Sequence, residues 1–374
     1  MMTKKSKLVL LLAGMGLVLN AWGSSAQAMG RSKYTQTNLV SDITVVPPAT
    51  TPDPNLKNSW GVAFIPGGPL WINDNATGVA TLYDGAGGIT PLVVTIPQPA
   101  VPTGPNSSPT GMVWNGNPFA FVVPTTTTGA LFIFSSEDGT ISAWNLGLSD
   151  VTKAQLLVDN SQVPTAGNGA VYKGLALGAN ASGEFLYATN FRSGQIDVFD
   201  STFKQVTLGA SPIPGTFSDS KIPAGFAPFG IANIRGNLFV SYAMQNAQKH
   251  DDVAGKHNGY VDIFDTSGNL IQRFASKGAL NSPWGIAEAP YNFGSASGTI
   301  LIGNFGDGTI NSFSSTNGNP KGTLMDSTGK KPVVIDGLWA LTFGGFMGAD
   351  PGTLYFTAGL NGEADGLFGS LTPQ

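Results

Sequence analysis

The sequence predicts an all-β protein, a six-bladed β-propeller in which the N-terminal strand closes the last blade. The first observation behind this is a phrase that recurs six times: "SWGVAF" at 59, "PTGMVW" at 109, "YKGLAL" at 172, "PFGIAN" at 228, "PWGIAE" at 283 and "LWALTF" at 338. Gly61, Gly111, Gly174, Gly230 and Gly285, with Ala340 in the last copy, are separated by 50, 63, 56, 55 and 55 residues. A period of this size marks a repeat architecture. The second observation is composition: 50 Gly and 25 Pro in 374 residues cut the chain into short apolar runs without long helical periodicity. The third is that the two ends complement each other. The last copy stops after "GLFGSLTPQ", one strand short, and an orphan strand-like stretch, "YTQTNLVSDITVV", precedes the first.

Each element follows from these. After the recurring phrase comes an apolar run ending in a polar residue, then a turn, then an alternating strand, as in "LWINDNATGVATLYD" from Leu70, "FIFSSEDGTISAWN" from Phe132 and "LYATNFRSGQIDVFD" from Leu186. Each unit therefore supplies three or four strands, a sheet too small to bury both faces until units stack around an axis. A β-sandwich offers no reason for a sixfold phrase. The phrase is assigned to the innermost strand, where crowding at the axis favours Gly and Ala. Pairing of the N-terminal strand with the last blade would cover both open sheet edges.

Residues 1–28 read as a secretory signal peptide, with Lys4, Lys5 and Lys7 before the apolar run Leu8 to Leu19 and an Ala26, Gln27, Ala28 cleavage site. The run is shorter than the roughly 20 residues of a membrane span. Residues 29–374 are then one propeller domain, secreted or periplasmic, with no membrane span and expected to be a monomer. Removing three leader lysines leaves 16 basic against 23 acidic residues, a charge near −7, which excludes nucleic acid as a partner. With no cysteine, stability must come from packing rather than disulfides or thiolate metal sites.

The phrases "LNSPWGIAEAP", "GNFGDGTINSF", "IDGLWALTFGG", "EDGTISAWN" and "QKHDDVAGKHNGYVDIFD" resemble those of a family of exported bacterial propeller proteins related to the NHL-repeat group. The resemblance covers nearly the whole mature chain and implies a fold and an exported location, with no activity attached. Some relatives end in a sorting tail, whereas this chain ends at "SLTPQ", which reads as release.

Function has to be sought at the face where the loops entering the inner strands open together with the loops between second and third strands. Immediately before the repeat glycine stand Trp60, Thr110, Lys173, Phe229, Trp284 and Trp339. The aromatic residues support two readings, a core that plugs the channel or a cup for a ring-shaped ligand. The second-strand ends place Asp74, Asn190 and Asn304 at equivalent positions. These are hard oxygen donors of the kind six-bladed lactonases use for a divalent cation such as calcium, and equally residues that end strands by bonding their own turns. Such lactonases also use a Glu near the N-terminus, and no Glu precedes Glu137 here.

Blade four inserts "AMQNAQKHDDVAGKHNG", which holds both histidines. His250, Asp251, Asp252 and His257 have the chemistry of metal ligands or of a general acid and base, or of a solvated loop. Their spacing fits no zinc signature. Glu137 in "EDGT" has no turn role and is a further candidate for the same face. Two functions remain open: a scaffold binding a small molecule or an exported protein at the channel mouth, or a metal-dependent hydrolase or lyase acting on a small sugar acid or lactone.

Overall fold

The computed structural model describes residues 32–102 and 104–374, so the leader assigned to 1–28 lies outside the described residues. The six repeats form six sheets. Each recurring phrase is the first strand of its blade: Ser59–Phe64, Pro109–Trp114, Tyr172–Asn180, Phe226–Ile234, Pro283–Glu288 and Leu338–Phe343. Within blades one to five the strands pair in sequence order and antiparallel, and blade three stops at three strands, whereas the closing blade also takes in Tyr34–Ser41 and, parallel to it, Thr51–Pro52. The closure follows the sequence: Tyr34–Ser41 pairs antiparallel with Asp365–Pro373, from Tyr34 opposite Pro373 to Ser41 opposite Leu367.

Six hydrophobic clusters each lie between two neighbouring blades, and a seventh fills the axis. The second strands are therefore buried on both faces, as Leu70–Asp74 and Phe132–Ser136 are along their whole length. Fourth strands such as Ile89–Thr95 and Leu270–Ser276 form the exposed rim.

The recurring glycine has a direct steric cause. A Cβ at Gly61, Gly111, Gly174, Gly230 or Gly285 would come within 3.0 Å of backbone in the next blade's inner strand. The pairing of inner and second strands shifts register at this point in every blade, which turns the residue before the glycine toward the axis.

One feature of this junction is not visible in the repeat phrase. A polar residue near the end of a second strand reaches across to the neighbouring blade. Asn73 Nδ2 donates to the carbonyl of Thr110 at 3.0 Å, Thr189 Oγ1 to that of Phe229 at 2.8 Å, Ser241 Oγ to that of Pro283 at 2.6 Å and Thr357 Oγ1 to that of Trp60. Polar side chains thus satisfy carbonyls that the register shift leaves without a ladder partner.

Candidate functional site

The register shifts aim Trp60, Phe229, Trp284 and Trp339 down the axis, where they close the channel. Trp60 and Trp339 stack with ring centroids 3.4 Å apart, and Trp284 meets both edge-on at 5.9 and 5.6 Å. Phe229 and Phe305 pack on Trp339 at 5.9 and 4.1 Å. Phe229, Trp60 and Trp339 are buried, and Trp284 is only 9% exposed. As free residues these rings form a plug, with the geometry of a core rather than that of an open cup.

Lys173 occupies the same ring position in blade three and is 2% exposed. A buried ammonium needs partners. Its Nζ makes a short ion pair with Glu137 Oε1, lies 3.7 Å from Asp251 Oδ1, and sits 5.1 Å from the Trp60 ring centroid. Glu137 comes from the turn between the second and third strands of blade two. Asn75 Nδ2 of blade one holds its other oxygen at 2.9 Å.

The blade-four insertion folds back on itself and points inward. Gln245 and Asp252 form an antiparallel bridge, and the Asn246 N–H donates to the Asp251 carbonyl at 2.8 Å. Asn246 Nδ2 donates to Asp251 Oδ2 at 3.1 Å, and His250 Nδ1 lies 2.7 Å from Asp251 Oδ1. The His250 hydrogen bond, with help from Lys173, holds the Asp251 carboxyl down at about 2. Burial pushes Asp252 up, partly offset by Lys173. Arg192, from the turn after Asn190, completes the rim and donates to the Gly169 carbonyl at 2.9 Å. A cavity of about 320 Å³, lined in part by Ser108, Glu137, Arg192 and His250, opens beside this cluster.

Glu363 is the member of the site that the sequence did not disclose. It lies in the turn between the second and third strands of blade six, where Asn361, Gly362 and Glu363 have φ of 55°, 64° and 72°. A run of left-handed residues that includes a Glu is uncommon and persists only when its surroundings impose it. Burial raises the Glu363 carboxyl to about 7, with the negative charge of Glu137 adding to the rise. Its turn reads "LNGE", a string that looks like any polar turn.

The other expected site residues lie apart from this cluster in their bonding. Asp74 is fully buried and accepts from Ser59 Oγ at 2.9 Å and Thr81 Oγ1 at 2.6 Å, with burial raising its carboxyl well above the usual range. Asn190 Nδ2 donates to Asp197, and Asn304 Nδ2 donates to Ala279, Asp307 and Thr309. Each of these three thus bonds within its own blade or its immediate loop, as strand-ending polar residues do. His257 sits at φ 70° with Nδ1 2.6 Å from the Gly278 carbonyl. The two histidines therefore serve different places, one at the mouth and one in an outer turn.

The chain is 36% identical over 323 residues to an uncharacterised protein of Acanthamoeba polyphaga mimivirus, covering 85% of this chain and 76% of the relative. A second uncharacterised protein of that virus is 34% identical, with 85% and 81% covered. These relatives are viral, where the sequence resemblance pointed to bacterial proteins. No protein-family model matches. Among solved structures, the soluble aldose sugar dehydrogenase of Escherichia coli superposes with a TM-score of 0.56 at 14% identity, covering 91% of this chain and 100% of that one. A streptogramin B lyase structure gives 0.51 at 14% identity, covering 93% and 100%. At such identities the likeness is one of fold.

Proposed function

This chain belongs to one family with the two mimivirus proteins, and since fold alone assigns no chemistry, we propose from its site that it is a binding propeller capturing a small, hydroxyl-rich polar molecule at the channel mouth. One observation carries the reading. Side chains from blades two, three and four, namely Glu137, Lys173, His250 and Asp251, converge above a sealed aromatic plug. Stability does not require such a cluster, since buried ion pairs are at best weakly stabilising. The loop that brings two of them is the one that breaks the repeat. The plug prevents passage through the ring, so a ligand enters and leaves by the same mouth. Export to the periplasm or beyond, expected from the leader, forms part of the same proposal.

Calorimetric titration with gluconate, gluconolactone and glucosamine tests this. Binding of at least one probe, weakened tenfold or more by Lys173→Met or Glu137→Gln, is expected. Failure of all three to bind, with no stabilisation against heat, would overturn the reading.

Glu363 favours a second reading, in which the site turns its ligand over as a hydrolase or lyase on a sugar acid or lactone. A carboxyl poised near neutrality beside a second carboxylate can both give and take a proton. Release of gluconate from gluconolactone above the spontaneous rate, abolished by Glu363→Gln, is the outcome that would select it over binding alone.

A further inference from the structure

Two carboxylates at the mouth are oriented from behind. Asn75 holds Glu137 Oε2 at 2.9 Å, and Asn246 holds Asp251 Oδ2 at 3.1 Å. The opposite oxygens, Glu137 Oε1 and Asp251 Oδ1, both face Lys173 Nζ. His250 Nδ1 lies against the same Asp251 oxygen. The loop is pinned in turn, because the His250 backbone N–H donates to Asn246 Oδ1 at 3.1 Å. Among the described residues, Glu137, His250 and Asp251 each offer a donor atom within 4.8 Å of the others.

A cation about 2.1 Å from each of three tetrahedrally disposed donors requires them to stand roughly 3.4 Å apart. The observed donors, all within 4.8 Å of one another, would have to close by at most about 1.4 Å. One imidazole nitrogen with two carboxylates suits a metal of the zinc class better than calcium, which prefers an all-oxygen shell of six to eight ligands. Amides fixing the outer carboxylate oxygens are the usual support for such ligands. The adjoining cavity beside Glu137 and His250 leaves an open side for a further ligand.

We propose that Glu137, His250 and Asp251 form a divalent metal site of the zinc class, whose place between the carboxylates is held by the Lys173 ammonium until the metal displaces it. This rests on the mouth being the binding site and names what binds there first. It places the metal away from Asp74, Asn190 and Asn304.

The test is calorimetric titration of the full chain with zinc chloride at neutral pH, repeated with calcium chloride. One zinc per chain is expected, with calcium at least tenfold weaker. Asp251→Asn and His250→Ala should each weaken zinc binding tenfold or more, and both alter an accessible loop rather than the core. His257→Ala should leave it unchanged. Lys173→Met should tighten it, because a competing cation is removed. Absence of stoichiometric zinc binding, or equal loss in His257→Ala, overturns the site. Weaker zinc binding in a folded Lys173→Met variant overturns the displacement. Repeating the gluconate titration in excess chelator separates the two readings: gluconate that binds without zinc binding would sink the metal site and leave the binding propeller standing.

Discussion

At the residue scale, the recurring glycine and the residue before it have opposite duties. Gly230 lets blade four approach the Trp284 carbonyl of blade five, closer than a Cβ permits. Gly230→Ala should therefore destabilise the fold by about 1–3 kcal/mol through overpacking, seen as a lower urea midpoint with an unchanged slope. Asp74 gives a pH signature. Burial raises its carboxyl in the folded state, so the folded chain binds the proton more tightly than the unfolded chain does. Its contribution is fully present below the ordinary carboxylate value near 4 and falls as pH rises above it. Asp74→Asn should flatten the loss of thermal stability across that rise, and an unaltered profile would refute the assignment. Lys173 stood out in the sequence as a candidate because a charge stood in a ring of aromatics. Glu363 did not, since only tertiary packing makes an ordinary turn string left-handed and half-buries its carboxyl.

At the scale of elements, the period, the inner strands and the closing strand could all be read from spacing. Backbone crowding at the axis recurs once per blade and leaves a glycine in five of the six, with Ala340 in the last. The clasps of Asn73, Thr189, Ser241 and Thr357 escaped notice because amide and hydroxyl side chains perform the same task, so three residue types share the four positions. Asp74, Asn190 and Asn304 stand at equivalent strand ends, yet equivalence in a ring sets them on different blades, and each bonds locally. The strand Tyr34–Ser41 covers the edge of Asp365–Pro373 and buries Leu39 and Val40 against blade one. Deleting residues 31–46 should abolish most of the folded population by exposing two sheet edges. A truncated chain that melts cooperatively at the parent temperature would show the strand to be dispensable.

For the whole molecule, the ring has no single core. Each blade is held by two neighbours, and the plug touches strands from several blades at once. Trp339, 1% exposed, contacts Trp60, Phe229, Trp284 and Phe305, which lie on four other strands or their adjoining loops. Trp339→Ala should cost about 3–5 kcal/mol, more than truncation of any rim residue such as Ile271, and should lower one cooperative transition rather than split it. Two separate transitions would mean that blades unfold independently.

The proximity of Lys173 to Trp60 has an optical consequence. The ammonium stands 5.1 Å from the ring centroid of an indole that is stacked on a second indole. An excited indole redistributes its electron density, so a charge at that range acts as a fixed electric field on its emission. Any event at the mouth that moves the ammonium changes that field, and the colour of the buried tryptophans would report it without an added dye. The same rings that close the channel thus form a voltmeter wired to the entrance.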